Sequence, residues 1–299
     1  MSRSWPSPLQ PGDRVQLAAA SSALDADALE RLQAGMEVLE SWGLRVHPHP
    51  EPLRRWGHLA GADPQRRADL EAANAALLAC VRGGWGSARL LESHLAPEAG
   101  AAGRWLLGFS DVTSLLWARQ ALGIAGGIHG PMLTSLASEP DWSRERLRRL
   151  LFAGAKADLE PLSGQGWCRG TATGPLLVGN LTVATHLLGT PHLPQLRGAV
   201  LVLEDVGEAP YRLDRLLTHW RLSGALQRLA AIGFGRFSGC DDPDSPTTAE
   251  QVLRERTQDL GIPVLAALPV GHEPGNAALP LGVRARLDAD AGQLTLLQD

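Results

Sequence analysis

The amino-acid sequence predicts an α/β fold with two domains. Three observations support this prediction. The length of 299 residues fits two domains of ordinary size better than one. In the first half, short apolar runs alternate with helix-spaced segments, which is typical of a parallel sheet with crossover helices. Residues 154–174 then contain five glycines and little periodicity, and the second half that follows has a different character.

The first half, residues 1–153, is predicted to form an α/β domain. Its longest helical pattern covers residues 26–42, where apolar side chains recur every three or four positions and Gly43 can end the helix. Its apolar runs are short and end in glycine or polar residues, as buried strands do. The predicted strands lie at residues 15–20, 77–81 and 105–109, and the predicted helices at residues 26–42, 66–77, 87–95 and 111–122.

Residues 154–174 are predicted as a linker and residues 175–299 as a C-terminal domain. This half contains short strand-like runs that are separated by helical patterns. Apolar runs at residues 283–288 and 293–297 flank a short polar turn, which predicts an antiparallel hairpin near the C-terminus. The other predicted strands lie at residues 198–204, 232–237 and 264–270, and the predicted helices at residues 211–222 and 248–260.

Composition narrows the class of function. The chain is 44% hydrophobic and 20% charged, as globular proteins are, and its net charge of −4 does not indicate a nucleic-acid partner. The three cysteines are odd in number and far apart, so we expect no disulfide framework. No signal-peptide pattern and no apolar run of about 18 residues occurs, which predicts a cytoplasmic protein without a membrane partner. Metal-ligand spacings are also absent from the sequence, so we expect no metal and no other cofactor.

The strongest local signal for chemistry is Gly108-Phe109-Ser110-Asp111, which lies between a predicted strand and a predicted helix. A serine at such a turn projects its hydroxyl above the carboxyl edge of the sheet, and the next backbone N–H groups lie at the positive end of the helix dipole. This geometry supplies a nucleophile and an oxyanion donor. The alternative is that Ser110 only caps the helix. Val112 also stands where the usual nucleophile elbow has a second glycine.

A glycine-rich turn, Arg82-Gly83-Gly84-Trp85-Gly86, follows another predicted strand. Glycines let a backbone approach a ligand closely. One interpretation is a phosphate cradle, although the spacing matches neither the dinucleotide fingerprint nor the P-loop. A second interpretation is that a backbone N–H near Gly84 serves as another oxyanion donor. The third is a tight turn that needs a positive φ.

Two adjacent acids, Glu204 and Asp205, end an apolar run in the second half. Acids are costly to bury without a partner, and a histidine whose tautomer the carboxylate fixes could be that partner. The alternative is an acid cluster that serves the following helix.

His272 also follows an apolar run and has the chemistry of a general base. His129, in a Gly-rich context, is its closest rival among the other histidines.

Taken together, these segments resemble the LD-carboxypeptidase family from about residue 12 to the C-terminus. Several separated motifs in the right order make the likeness more specific than any one of them. The matching segments are Gly61-Ala62-Asp63, Arg66-Arg67-Ala68-Asp69-Leu70, Arg82 to Leu91, Gly108 to Thr113, His129 to Met132, Gly179 to Thr182, Leu188 to Pro191, Leu203 to Arg212, Gly271-His272 and Leu279 to Gly282.

The resemblance implies a serine peptidase whose Ser-Glu-His triad falls on Ser110, Glu204 and His272. The backbone N–H groups of Gly84 and Asp111 would form the oxyanion hole. The family fold is an N-terminal α/β domain with a parallel sheet and a smaller C-terminal domain of mixed β and α structure. The site lies where the two domains meet, and members are typically homodimers.

The resemblance also implies a cytoplasmic enzyme of peptidoglycan recycling, which releases a terminal D-alanine from murein tetrapeptides. Trp85 and Phe109 stand where tyrosine is usual, and residues 18–22 lack the customary proline, so substrate preference stays open. One alternative is an immunity-type relative that cleaves a peptide–nucleotide antibiotic such as microcin C. The others are a non-catalytic ligand-binding relative and a nucleotide-binding α/β protein.

Overall fold

The computed structural model describes residues 5–71, 74–92 and 103–298, which form two compact units. Unit 1 consists of the described part of Met1–Asp158 together with Ala277–Leu281. Unit 2 consists of Leu159–Asn276 together with the described part of Gly282–Asp299. The predicted fold class is confirmed, because unit 1 is built on a largely parallel sheet and unit 2 on a mixed one.

The strands and helices are numbered in chain order. The strands are β1 (Arg14–Ala18), β2 (Arg45–His47), β3 (Leu77–Cys80), β4 (Trp105–Gly108), β5 (Gly127–His129), β6 (Leu162–Ser163), β7 (Gln165–Cys168), β8 (Thr171–Asn180), β9 (Val200–Val206), β10 (Ala231–Ser238), β11 (Val264–Ala266), β12 (Leu279–Pro280), β13 (Arg284–Asp288) and β14 (Gln293–Leu296). The α-helices are α1 (Ala26–Ser41), α2 (Asp63–Leu70), α3 (Thr113–Ala121), α4 (Leu133–Leu136), α5 (Asp141–Ala153), α6 (Leu181–His186), α7 (Pro210–Leu222) and α8 (Ala249–Glu255).

The sheet of unit 1 has the order β12-β5-β4-β3-β1-β2 among the described residues. Strands β1 to β5 pair in parallel, and β12 joins β5 antiparallel at one edge. Every residue of β3 and β4 is buried, as expected for parallel strands that are covered on both faces. Helix α1 begins where the Asp25 side chain accepts a hydrogen bond from the backbone N–H of Ala28 at 2.8 Å, an N-cap contact.

Helix α1 approaches α4 so closely that Gly35 has no room for a side chain. A Cβ atom at Gly35 would lie 1.9 Å from the carbonyl oxygen of Leu133. Gly35→Ala should therefore lower the free energy of unfolding by about 1–3 kcal/mol, the usual cost of overpacking, even though alanine favours a helix. Urea denaturation measures this change, and Glu40→Ala on the exposed face of α1 is the control. Equal stability of the two variants would contradict the close approach.

The sheet of unit 2 has the order β6-β14-β13-β8-β9-β10-β11-β7 among the described residues. Its central strands β8 to β11 pair in parallel, and the flanking strands pair antiparallel. The predicted C-terminal hairpin is confirmed, since β13 and β14 pair antiparallel with Ala285 opposite Leu296. Parallel pairing of β8, β9 and β10 brings their carboxyl ends to one edge of the sheet.

The segment 154–174 differs from the linker that the sequence predicted, because it contains β6, β7 and the first residues of β8. Its glycines permit close backbone packing rather than flexibility. A Cβ atom at Gly166 would lie 2.0 Å from the carbonyl oxygen of Ala289, and one at Gly164 would lie 2.5 Å from that of Ala266. The boundary between the units falls after Asp158 instead, and β12 returns from the C-terminal half to unit 1.

Two predicted helices of the first half are shorter than expected. The helix predicted over residues 66–77 is α2, which ends at Leu70 and is followed by a separate strand. The helix predicted over residues 87–95 is a 3-10 helix over Ser87–Leu91, and residues 93–95 lie outside the described residues. Within the ranges that the structure describes, no helix combines the length and apolarity needed to cross a membrane.

Candidate active site

Ser110 lies at a sharp turn between β4 and α3 in unit 1. Its backbone has φ +59°, a left-handed conformation that a residue with a side chain rarely adopts. A 3-10 helix over Ser110–Val112 continues directly into α3, and Ser110 itself is partly exposed. Such strain costs of order 1–3 kcal/mol and is concentrated at functional sites. The turn has the form of a nucleophile elbow, which presents a serine hydroxyl at the end of a strand.

Val112 does not prevent this turn, although it replaces the second glycine of the usual motif. The close approach occurs at Gly108, where a Cβ atom would lie 2.7 Å from Cγ1 of Val112. Val112 is fully buried against that glycine. One glycine before the serine is therefore sufficient for the chain to close the elbow.

The carboxylate of Asp111 ties the elbow to neighbouring segments of unit 1. Its Oδ2 atom accepts hydrogen bonds from the Ser21 hydroxyl at 2.6 Å and from the Ser87 backbone N–H at 2.8 Å. The backbone carbonyl of Asp111 accepts from the hydroxyls of Ser87 at 2.6 Å and Ser114 at 2.9 Å. Because Asp111 is fully buried, these bonds hold the elbow in a fixed relation to the chain around Ser87.

The glycine-rich turn lies beside Ser110. A Cβ atom at Gly83 would be 3.0 Å from the Ser110 Oγ atom. Gly84 has φ +110°, and a Cβ there would lie 2.2 Å from Oγ of Ser22, which accepts a hydrogen bond from the Trp85 backbone N–H at 3.1 Å. The interpretation as a tight turn with positive φ is therefore confirmed. The turn also runs next to the serine, which is the placement that an oxyanion donor at Gly84 requires.

His129, the rival histidine, lies on β5 and is fully buried in unit 1. Its ring meets that of Phe109 edge-on, with a centroid separation of 5.7 Å and an interplanar angle of 62°. A buried aromatic pair of this kind contributes to packing. This environment favours a structural role for His129.

In unit 2, His272 and Glu204 form a hydrogen-bonded pair. The distance from His272 Nδ1 to Glu204 Oε2 is 2.7 Å. Glu204 is fully buried within β9, two residues before the strand ends, whereas the His272 side chain is 19% exposed. Gly271, at φ +138°, lets the chain pass directly over the acid, since a Cβ there would be 3.3 Å from Oε2. A buried carboxylate thus fixes the orientation and the tautomer of a partly exposed imidazole.

The pKa of His272 is raised above its ordinary value by the balance of two opposing effects. Burial alone would lower the pKa, because it disfavours the charged imidazolium. The hydrogen bond and the charge of Glu204, with a further contribution from the charge of Asp205, outweigh burial. The pair therefore stabilises the protonated form of His272.

Asp205 contacts different residues from those that Glu204 contacts, because successive side chains of a strand point to opposite faces. Its Oδ1 atom accepts hydrogen bonds from the Asn180 side chain and from the Val206 N–H, and its Oδ2 atom accepts from the N–H and the hydroxyl of Thr182, all within 2.9 Å. Burial and the charge of Glu204 raise the pKa of this carboxyl. Asp205 holds the start of α6, so the structure separates the two acids that the sequence pattern left equivalent.

The structure brings the predicted site residues together in two groups. Ser110, Gly84 and Asp111 are neighbours in unit 1, and Glu204 and His272 are partners in unit 2. The described ranges hold no group of three or more His, Cys, Asp or Glu side chains that could bind a metal ion.

Two serines that no motif of the sequence indicated, Ser21 and Ser22, bind Asp111 and the glycine-rich turn. The one available signal was their place directly after the first strand, because chain segments at the carboxyl ends of parallel strands commonly surround a site.

A serine on a strained strand–helix turn and a carboxylate-bound histidine are features that serine hydrolases use. Two family models match the chain: the LD-carboxypeptidase N-terminal domain over residues 15–130 and the LD-carboxypeptidase C-terminal domain over residues 173–287. The chain belongs to the LD-carboxypeptidase family, as the resemblance of its motifs predicted. Membership makes it a serine carboxypeptidase.

Individual relatives agree with this assignment. A protein of Synechocystis sp. that is provisionally named a carboxypeptidase is 49% identical over 98% of this chain and 97% of its own length. The murein tetrapeptide carboxypeptidase of Pseudomonas aeruginosa is 36% identical over 94% of this chain and 95% of its own. Among solved structures, the microcin C7 self immunity protein MccF, an inactive mutant in the apo state, has a TM-score of 0.88. The two sequences are 22% identical, and the match covers 99% of each chain, so that protein has the same fold.

Proposed function

We propose that this chain releases the terminal D-alanine of murein tetrapeptides, with Ser110, Glu204 and His272 as its Ser-Glu-His triad. The observation that carries the proposal is the 2.7 Å hydrogen bond between Glu204 and His272, which gives the chain an oriented general base. The strained turn at Ser110 supports the choice of nucleophile. The name of the Pseudomonas aeruginosa relative supports the choice of substrate. A cytoplasmic role in peptidoglycan recycling and a homodimeric state complete the proposal.

In the proposed reaction, Nε2 of His272 takes the proton of the Ser110 hydroxyl as Oγ attacks the amide carbonyl carbon. The backbone N–H groups of Gly84 and Asp111 hold the oxyanion of the tetrahedral intermediate, each contributing about 3 kcal/mol as in comparable enzymes. His272 then gives its proton to the nitrogen of D-alanine, and the C–N bond breaks. Water then attacks the acyl carbon as His272 takes its proton, and His272 returns that proton to Oγ of Ser110 as the ester C–O bond breaks. Glu204 keeps the imidazole oriented and stabilises its cation throughout.

A product assay by mass spectrometry tests the substrate. The purified protein is incubated with murein tetrapeptide, and the expected result is a tripeptide product with free D-alanine. An acyl-sulfamoyl adenylate, assayed in parallel, tests the immunity-type alternative. Turnover of that adenylate with no action on the tetrapeptide would overturn the proposed substrate and leave the family assignment intact.

The pH dependence of kcat/KM should follow the ionisation of His272. The imidazole must be neutral to accept the serine proton, and its pKa lies above the ordinary value because of Glu204. Activity should therefore rise with pH through an apparent pKa above that of an ordinary histidine, and it should be lost below it. Initial rates at low substrate concentration measure this limb, with circular dichroism at each pH as the control for folding. An acidic limb below the ordinary histidine pKa would argue against the role of the pair.

A further inference from the structure

One arginine of β10 contacts the chain on both sides of His272. Before the histidine, the backbone N–H of Arg236 donates to the carbonyl oxygen of Val270 at 2.7 Å. Gly271 then passes close to β10, so that a Cβ atom there would lie 3.2 Å from the carbonyl oxygen of Arg236 and 3.3 Å from Oε2 of Glu204. The segment that leads into His272 is thus fixed against both the strand and the acid.

After the histidine, the guanidinium of Arg236 donates to a row of backbone carbonyls. Its Nη1 atom lies 3.2 Å from the carbonyl oxygen of Glu273, 2.9 Å from that of Pro274 and 3.4 Å from that of Gly275. Nη1 has two N–H groups, so the three acceptors share them, with Pro274 the nearest. The planar fork of an arginine suits this task, since it addresses several acceptors from one fixed position.

Two further contacts fasten the same loop, which we call the His272 loop (residues 270–276). The Ser238 hydroxyl donates to Oε1 of Glu273 at 2.7 Å, and the Gly271 N–H donates to the side-chain oxygen of Asn276 at 3.1 Å. The loop has no regular secondary structure to satisfy its own carbonyls, so these need partners elsewhere, and the guanidinium of Arg236 is the partner for residues 273–275. A general base must be held within about 0.5 Å of its productive position. The guanidinium of Arg236 contributes by contacting three successive carbonyls of the loop.

We propose that Arg236 is a positioning residue whose guanidinium holds the imidazole of His272 against Glu204 by fixing the second half of the His272 loop, while the backbone of β10 fixes the first half. This inference rests on the proposed function, because it takes His272 as the general base. Arg236 acts through the loop and needs no contact with the substrate.

Arg236→Lys is the variant that tests the proposal most directly, because it keeps the positive charge and removes the fork. Arg236→Met also removes the charge while keeping the length of the side chain. A misplacement of about 1 Å can cost about 100-fold in rate, so we expect kcat/KM to fall about 10- to 100-fold in Arg236→Met and less in Arg236→Lys. KM should stay within about twofold, since the residue does not bind substrate.

Arg221→Met is the matched control in the same unit. Arg221 also binds a backbone carbonyl, that of Arg256 at 2.9 Å, and pairs with Asp259. Its side chain is 24% exposed, against 26% for Arg236. Arg221→Met removes equivalent contacts away from the His272 loop, so its kinetics should match those of the unmodified protein.

Titration of the His272 ring by NMR supplies a readout that a loss of stability alone would not move. The hydrogen bond and charge of Glu204, with the charge of Asp205, raise the pKa of His272 against the effect of burial. Loosening the contact with Glu204 should therefore lower that pKa in both Arg236 variants, and the acidic limb of kcat/KM should move to lower pH with it. Unchanged titration in both variants, together with kinetics equal to those of Arg221→Met, would overturn the inference. If the unmodified protein released no D-alanine, the proposed function would fail, and the titration would still decide the role of Arg236.

Discussion

Ser110→Ala is expected to lower kcat/KM for D-alanine release by about 10⁶-fold, as removal of the nucleophile does in other serine hydrolases. Without Oγ there is no acyl-enzyme, and only the oxyanion donors and substrate binding remain to accelerate the reaction. The same variant should lose all labelling by a fluorophosphonate probe. Mass spectrometry of the products and of the labelled protein measures both effects.

Stability should not change with this substitution, which makes the kinetic result interpretable. Alanine keeps the Cβ atom of residue 110, so the strain at φ +59° stays the same in both proteins. The free energy of unfolding should agree within about 0.5 kcal/mol. Ser138→Ala, at an exposed serine of unit 1 whose hydroxyl donates to the nearby carbonyl of Ser135, is the control and should keep full activity. Retention of more than a few per cent of activity and of probe labelling by Ser110→Ala would reject Ser110 as the nucleophile.

The elbow at Ser110 could be predicted because its signals are local. A buried apolar run, a glycine and a helical pattern lie within about a dozen residues, and each depends on its own sequence more than on distant contacts. The structure places β4, the turn and α3 in that order. The helix over Ala26–Ser41 was predictable for the same reason, with Asp25 as its cap.

The role of glycine in residues 154–174 could not be predicted from composition. Glycine serves flexible linkers and also strands that run against another backbone. Which of the two applies depends on the partner, and the carbonyl of Ala289 that faces Gly166 is more than a hundred positions away in the chain. Long-range pairing of this kind leaves no periodic trace in the segment itself.

The choice between neighbouring acids also depends on distant residues. The pattern places Glu204 and Asp205 at one strand end, and the alternation of side chains requires only that they face opposite ways. Which face meets a histidine follows from the path of the His272 loop. Family resemblance selected Glu204, and the geometry of unit 2 now gives the physical reason.

Glu204→Gln should lower kcat/KM by about 10²–10⁴-fold, because the corresponding change in a Ser-His-Asp triad costs about 10⁴. The glutamine can still contact Nδ1, but it carries no charge to stabilise the imidazolium. Without the charge of Glu204, burial becomes the main influence on the pKa of His272, so that pKa should fall below the ordinary value. The acidic limb of the residual activity should therefore move to lower pH, and a pH profile of kcat/KM measures the shift.

Asp205→Asn is the matched control one position along the same strand. The change replaces one carboxylate oxygen by an NH₂ group, which donates and cannot accept. If the NH₂ group takes the place of Oδ2, the N–H and the hydroxyl of Thr182 lose their acceptor; otherwise the other hydrogen bonds of this side chain must rearrange. A buried donor left without an acceptor costs about 1–3 kcal/mol, so this variant should lose stability in urea denaturation. Its kcat/KM should stay within about tenfold, because Asp205 holds α6 and does not touch His272. If both variants lost activity equally with no difference in their pH profiles, the two acids would act as one cluster, and the assignment of Glu204 as the partner of the base would have to be withdrawn.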